Sequence, residues 1–446
     1  MFNKILIANR GEIALRIIRA ARELGIKTVA VFSTADDLSL HKKFADEAIC
    51  IGPPDPLKSY LNIPSILAAA ELTDSDAIHP GYGFLSENAK FSSICDENNI
   101  VFIGPDANTI NSMGHKSVAK DTMKAAGVAV IPGSDGVVDT VEEGIQIASS
   151  IGYPVIIKAA SGGGGRGMRM VEKEEDFTNA FNSAQSESKI AFNNDEVYIE
   201  KYFTEPRHIE IQILGDSHGN IYAFGERECS IQRRHQKLIE ESPSPGINDE
   251  IRDKMCEKAI LAAKSVDYVG AGTVEFLYDP LSDDFFFMEM NTRIQVEHPV
   301  TEYVTNVDLV KHQILCHAGL AIPKSYENLK LRGHSIECRI NAEDPDKNFM
   351  PSPGTLISVH FPGGLGVRVD SSIYTGYTIP PNYDSMIAKI IVHAQTRTEA
   401  INKMYTSLEE CVIDGIKTNI EFQKKILKND AFIKGDFNTN FLNNFQ

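Results

Sequence analysis

Glu275 and Glu289 carry the first chemical signal in this sequence. Residues 272 to 278 (GTVEFLY) and 285 to 291 (FFFMEMN) alternate around the turn-forming run Asp279-Pro280-Leu281-Ser282-Asp283-Asp284 and read as a β-hairpin. Centred near position 282, that hairpin sets the two glutamates opposite each other, with Cβ atoms about 4.5 to 5.5 Å apart. Like charges so placed repel, and a divalent cation would offset the repulsion. Hard oxygen ligands suit Mg²⁺, which takes one or two carboxylates together with substrate phosphates. The second strand runs on through Glu289, Asn291, Arg293, Gln295 and Glu297, which share one side wherever the chain stays extended and span roughly 26 Å. One stripe could then carry a metal ligand, an anion clamp and a base. Its plain alternative is a solvated strand face, which tends to repeat Lys, Glu and Thr rather than mix acid, amide and guanidinium.

Four other segments carry chemistry. In KAASGGGGRGM (158 to 168), Gly162, Gly164 and Gly167 satisfy GxGxxG, but Met168-Arg169-Met170-Val171 follows as a strand where a dinucleotide fingerprint opens a helix. Strand, glycine loop, strand is a hairpin whose backbone amides can close over phosphates, with Lys158 before the loop and Arg166 inside it. No GxxxxGK[ST] exists, which disfavours a P-loop ATPase. Gln232-Arg233-Arg234-His235-Gln236-Lys237 is the densest basic run in an acidic chain and suits an oxyanion such as phosphate or bicarbonate. HIEIQIL puts His208, Glu210 and Gln212 on one face, and HPGYGFLSEN (79 to 88) joins a strand end to a helix start, where ligands meet α/β sheets. A solvated cationic loop and a helix-entry turn are the plain readings of the basic run and of HPGYGFLSEN.

These residues need a frame. Short apolar runs at 4 to 8, 27 to 32, 76 to 78 and 100 to 103, separated by helical patterns such as 12 to 24, predict a parallel α/β domain over residues 1 to 112. Its first turn, Ala8-Asn9-Arg10-Gly11-Glu12, lacks the glycine triplet of a dinucleotide site. Residues 113 to 205 predict a helix (116 to 126), the strand PVIIKAA, the glycine loop, MRMV, a helix and the strand VYIEKYF, a small α+β body. From 206 to 446 the chain is strand-rich to about 300 and mixed thereafter.

At 446 residues the chain holds two to four domains, and its 44 basic against 61 acidic residues give a net charge of −17, which opposes binding to nucleic acid or anionic membranes. No apolar run is long enough to span a bilayer, and the N-terminus reads as a strand from residue 4 with no room for a leader, so a soluble, cytoplasmic protein is expected. Seven cysteines without a CxxC, none closer than 22 positions, are expected to be reduced core thiols.

Together, IANRGEIA, HPGYGFLSEN, KAASGGGGRGM, CSIQRRHQK, EMNTRIQVEHPVTE and RINAEDP resemble the biotin carboxylase family of the ATP-grasp superfamily, over residues 2 to about 440. The likeness is greatest to the separate subunits of bacterial acetyl-CoA carboxylases. It implies an α/β and α+β multidomain ATP-grasp ligase with a mobile glycine-rich lid (113 to 205) and a core plus C-terminal mixed domain (206 to 446). The implied reaction carboxylates biotin with bicarbonate and MgATP through carboxyphosphate. By the same resemblance, Lys116, Lys158 and the amides of Gly164 and Gly165 contact ATP phosphates. Glu200, Lys201, Tyr202 and Phe203 line the adenine pocket, with His208, Gln232 and His235 near the nucleotide. Glu275, Glu289 and Asn291 hold Mg²⁺ or Mn²⁺. Lys237, Arg293, Gln295 and Val296 hold bicarbonate and Glu297 deprotonates it. Arg339 stabilises the enolate-like biotin, beside Tyr82 and Gly83.

The chain has no biotinyl-lysine motif, since Met123-Lys124-Ala125 lies in a helical stretch and departs from Met-Lys-Met. Biotin is therefore expected on a separate biotin carboxyl carrier protein, with carboxyltransferase subunits as further partners and a homodimer implied by resemblance. Three alternatives stay open: another ATP-grasp ligase making an acyl phosphate, a module of a pyruvate, propionyl-CoA or urea carboxylase, and a nucleotide-sensing scaffold.

Overall fold

The computed structural model describes residues 1–159, 168–192, 194–234, 236–327 and 329–445. The first sheet is parallel, in the order β3-β2-β1-β4-β5, built from β1 (Lys4–Ile7), β2 (Lys27–Ser33), β3 (Glu47–Gly52), β4 (Ala77–His79) and β5 (Val101–Phe102). Both faces are covered, which is why KILI and KTVAVFS read as near-continuous apolar runs. The helix Gly11–Glu23 buries Ile13, Ala14, Ile17, Ile18 and Ala21 at helical spacing. Four strands are those predicted. β3 is an edge strand with a partly exposed pattern, too weakly apolar to stand out in the sequence.

A second sheet has three strands, β7 (Met168–Val171), β6 (Val155–Ala159) and β8 (Val197–Lys201). β6 and β7 are antiparallel with Lys158 opposite Met168, the hairpin expected on either side of the glycine loop; residues 160–167 themselves lie outside the described residues. β8 ends at Lys201, two residues short of the predicted VYIEKYF strand. Gly133 bridges to Glu200, and a side chain there would press its Cβ to 2.5 Å from the Ile199 carbonyl oxygen, so only glycine permits this seam.

The third sheet has eight antiparallel strands and positions most of the chemistry. Its order runs β13 (Asp284–Asn291), β12 (Gly270–Asp279), β9 (Arg207–Gly215), β10 (Ile221–Arg233), β11 (Gln236–Ser242), β14 (His334–Asn341), then the strands Met386–Ala394 and Val367–Ser371. In the β12–β13 hairpin Glu275 pairs with Glu289, and the register slips by one residue immediately afterwards, where Phe276 meets Phe287. The chain leaves the strand at Asn291, so the polar stripe beyond it is not one extended edge. Separate apolar clusters lie against this sheet, one around Ile340, Ile390 and Phe432 and another around Ile211, Val274 and Met255. All seven cysteines are free, and five are buried. No helix among the described residues is long and apolar enough to cross a membrane.

Candidate active site

A cleft of about 790 Å³ brings together Tyr82 and Gly83 from the first sheet with His208, Gln232, Lys237, Glu275, Glu289, Asn291, Arg293, Gln295, Val296, Glu297 and Arg339. Its floor is a buried charge network. Strand alternation aims His208, Glu210 and Gln212 of β9 into it, as the sequence predicts: His208 meets Glu275 at 2.7 Å and Gln232 at 2.6 Å. Glu210 and Gln212 both accept from Arg227 of β10. Arg227 is fully buried and also donates to Thr273 and Thr301, each at 3.0 Å, and to Gln295 at 2.8 Å. Its planar fork suits this multiple grip.

Lys237 of β11 is the hub. Its Nζ donates to Glu210 at 2.6 Å, Glu275 at 3.0 Å and Glu297 at 2.7 Å, three carboxylates from separate stretches of chain. Burial works against its charge, but Cys229 and these carboxylates outweigh it and keep Lys237 protonated well above its ordinary value. Glu297 bonds Arg339 of β14 through its other oxygen at 2.8 Å. Burial would raise Glu297, yet Lys237, Arg339 and Arg227 hold it well below the ordinary carboxylate range. Arg339 also donates to Glu240 at 2.6 Å.

The segment after β13 turns inward rather than running straight. Asn291 Nδ2 and Gln295 Nε2 both donate to Glu275, at 2.9 and 2.7 Å. Arg293 is only partly buried: it reaches Glu87 at 2.9 Å and donates to Asn291 Oδ1 at 2.8 Å, joining this segment to HPGYGFLSEN. The Val296 carbonyl accepts from Lys389 at 2.7 Å. Glu289 faces the open cleft. Lost hydration and the neighbouring Glu275 raise its proton affinity, while Lys116 draws it back. Two opposed carboxylates, one of them destabilised as an anion, are the donor set that a hard divalent cation fits. On the opposite wall Asn9 Nδ2 donates to the carbonyls of Pro80 and Tyr82, each at 2.7 Å, and shapes the loop that presents Tyr82 and Gly83.

Other predicted residues lie apart from this floor. Lys158 pairs with Glu200 across the three-stranded sheet, and Lys120, which the sequence did not single out, pairs with the same carboxylate. Burial pushes Glu200 up, but Lys158 and Lys120 outweigh it and hold it ionised. Lys116 is exposed at the start of the helix Lys116–Ala125. The Lys201 ammonium caps the carbonyls of Gly152 and Tyr153. Tyr202 lines a second cavity of about 630 Å³ beside Thr204, Phe437 and Phe441. Phe203 packs on Phe286 with ring centres 5.2 Å apart. Gly164, Gly165 and His235 lie outside the described residues.

Known proteins resemble this chain along nearly its whole length. Residues 1–110 match the biotin carboxylase N-terminal domain, 115–325 the ATP binding domain of the carbamoyl-phosphate synthase L chain, and 337–444 the biotin carboxylase C-terminal domain. The chain is 57% identical over 445 residues to biotin carboxylase 1 of Bacillus subtilis, covering 100% of this chain and 99% of that one. The chain belongs to the biotin carboxylase family. Among solved structures, a biotin carboxylase–β,γ-ATP complex from Campylobacter jejuni superposes with a TM-score of 0.92 at 52% identity, covering 99% of each chain. The biotin carboxylase domain dimer of Hydrogenobacter thermophilus 2-oxoglutarate carboxylase, in complex with MgADP, ADP and bicarbonate, has a TM-score of 0.91 at 48% identity, covering 99% of this chain and 97% of that one.

For a biotin carboxylase, the residues that the sequence left unmarked are those that hold others in place. Glu12 accepts the Tyr82 hydroxyl, Glu87 holds Arg293, and Arg227, Glu240 and Lys389 sit inside the eight-stranded sheet. Arg227 and Lys389 did leave a trace. Each is a charge in the middle of a strand that is otherwise buried, IYAFGERECSIQR and MIAKIIVHA, where an unpaired ion would be prohibitively costly.

Proposed function

We propose that this biotin carboxylase catalyses the first half-reaction of an acetyl-CoA carboxylase: ATP-dependent carboxylation of biotin, borne on a biotin carboxyl carrier protein, with bicarbonate as the carbon source. The observation that carries the reading is a buried carboxylate, Glu297, contacted by Lys237 and Arg339 at the meeting of the two cleft walls. On this reading residues 1–112, 113–205 and 206–446 act as N-terminal domain, ATP-grasp lid, and core with C-terminal domain. The enzyme works as a homodimer with separate carboxyltransferase subunits. Relatives from 2-oxoglutarate carboxylase and pyruvate carboxylase keep a second reading open, in which the same half-reaction serves another acceptor such as pyruvate.

Bicarbonate is a poor nucleophile. Lys237, Arg293, Gln295 and the Val296 backbone would hold it while Glu297 takes its proton and its oxygen attacks the γ-phosphorus. The bond from phosphorus to the bridging oxygen breaks, ADP leaves with the electron pair, and carboxyphosphate forms. Its C–O bond then breaks to give CO₂ and phosphate. Phosphate accepts the N1′ proton of biotin, and N1′ attacks CO₂ while Arg339 offsets the charge on the ureido oxygen. In the resting cleft Glu297 is a weak base because two cations hold it. Bicarbonate drawing on Lys237 and biotin drawing on Arg339 would raise its proton affinity when both substrates are present. Glu275, Glu289 and Asn291 would hold Mg²⁺ or Mn²⁺, which when bound neutralises ATP phosphate charge. Lys116, Lys158, Gly164 and Gly165 would grip the phosphates, with Glu200, Lys201, Tyr202, Phe203, His208, Gln232 and His235 around the nucleotide.

The test is ADP release from MgATP by the purified chain, with and without bicarbonate and with and without free biotin. Turnover should require bicarbonate and rise with biotin. Hydrolysis indifferent to both would assign the site to another ATP-grasp ligase. Arg339→Ala should lower carboxybiotin formation more than bicarbonate-dependent ADP release, and normal carboxybiotin formation would remove Arg339 from its role.

A further inference from the structure

Lys389 is a fully buried cation that the roles above leave unused. It lies directly opposite Arg339 on the neighbouring strand, so the two side chains share one face of the sheet. Its Nζ donates to the Val296 carbonyl at 2.7 Å and lies 3.3 Å from Glu12 Oε1. Glu12, itself buried, accepts the hydroxyl of Tyr82 through that same oxygen. One ammonium therefore ties the backbone beside Glu297 to the side chain that anchors the loop of Tyr82. The first tie sits on the wall proposed for bicarbonate and the second on the wall proposed for biotin.

We infer that Lys389 is a positioning residue that fixes the distance between the site where bicarbonate is activated and the site where biotin receives the carboxyl group. The inference rests on the proposed function, because it needs two half-sites that must meet. A labile carboxyphosphate or CO₂ formed at one wall is lost to water unless the acceptor nitrogen is held within reach, and small misplacements of reacting groups are costly. A buried lysine suits this tie because burial keeps water from competing for its three donors. The charge also persists: burial opposes it, but Glu12, Glu337 and Asp370 outweigh burial and keep Lys389 protonated. The chain continues as an ionic ladder, since Asp370 is bound by Arg368 at 2.7 Å, which leaves Asp370 paired when Lys389 is replaced.

The prediction concerns coupling rather than rate. In Lys389→Met, ATP consumed per carboxybiotin formed should rise about tenfold or more, while bicarbonate-dependent ADP release survives with its KM for ATP unchanged. That ratio does not depend on the fraction of enzyme that folds, so a merely structural role would lower both rates and leave it unmoved. Glu12→Gln keeps an acceptor for Tyr82 but removes the charge facing Lys389, and should raise the ratio by a smaller factor. It is the deciding variant if Lys389→Met does not fold. A ratio equal to that of the unsubstituted enzyme in the variants that fold overturns the inference. Failure of the unsubstituted enzyme to show bicarbonate-dependent ADP release would instead strike the proposed function, so the two failures are distinguishable.

Discussion

The wall that surrounds Glu297 and the arm that carries Lys158 hold their charges in different ways. On the wall, Lys237 has three carboxylate partners, Arg227 has five acceptors, and Glu297 has a cation on each oxygen; Arg227 and the carboxylates are buried, and Lys237 and Arg339 are 12% and 16% exposed. On the arm, Lys158 and Lys120 share the single carboxylate of Glu200, each still about a quarter exposed, and Lys116 is exposed. The contrast matches the tasks proposed above for Glu297 and for Lys116 and Lys158. Moving a proton from bicarbonate demands atoms fixed to a fraction of an ångström, whereas a triphosphate is gripped by point charges on flexible stems that tolerate displacement.

The sharpest way to break this comparison is Glu297→Gln. Bicarbonate-dependent ADP release should fall by about 10²- to 10⁴-fold while nucleotide affinity, read by titration of a fluorescent ATP analogue, stays the same. Unchanged turnover would remove the base from the wall. Next in size is Arg227→Met, which leaves Glu210 buried beside Lys237 alone. It should cost about 3 to 5 kcal/mol in urea unfolding, because removing one partner strands a buried charge.

A pH series tests the outer part of the same network. Burial raises Glu302, but Arg16, His298 and Arg368 outweigh it and push the carboxyl down to about 2 from its usual 4.5. Its folded form therefore favours the anion. The stabilisation is complete above about pH 4.5, is lost progressively as pH falls towards 2, and amounts to something on the order of 3 kcal/mol. Glu302→Gln should flatten the acid limb of stability against pH, and an unchanged limb would assign acid sensitivity elsewhere. The smallest effect belongs to the arm. Lys120→Met leaves Glu200 paired with Lys158 and should cost about 1 kcal/mol or less. A loss as large as that of Arg227→Met would mean the arm is as rigidly built as the wall.

Much of the wall was legible because its elements are local. Glu275 faces Glu289 since turn residues and alternation on a single hairpin fix the register, even though a one-residue slip follows immediately. His208, Glu210 and Gln212 converge because side chains on a strand repeat every second residue. The same alternation orders the stripe beyond Asn291 only while the chain stays extended, and the strand ends at Asn291. Once the chain leaves the sheet, Gln295 and Arg293 take their direction from Glu275 and Glu87, groups that no local period can locate. β3 escaped notice because an edge strand needs less apolar character.

By itself the sequence determined four strands of the first sheet, the faces of β9 and of the β12–β13 hairpin, the glutamate pair, the strands that flank the glycine loop and the motifs that mark a biotin carboxylase, because propensity, alternation and turn chemistry act over a few residues. Tertiary structure alone decided that Lys237 would gather carboxylates from three stretches of chain, that Glu297 would rest between two cations, and that Lys389 would reach both Val296 and Glu12. The physical reason is that a buried charge is stable only beside its partners, and those partners lie as many as 377 positions away along the chain, as Glu12 does from Lys389.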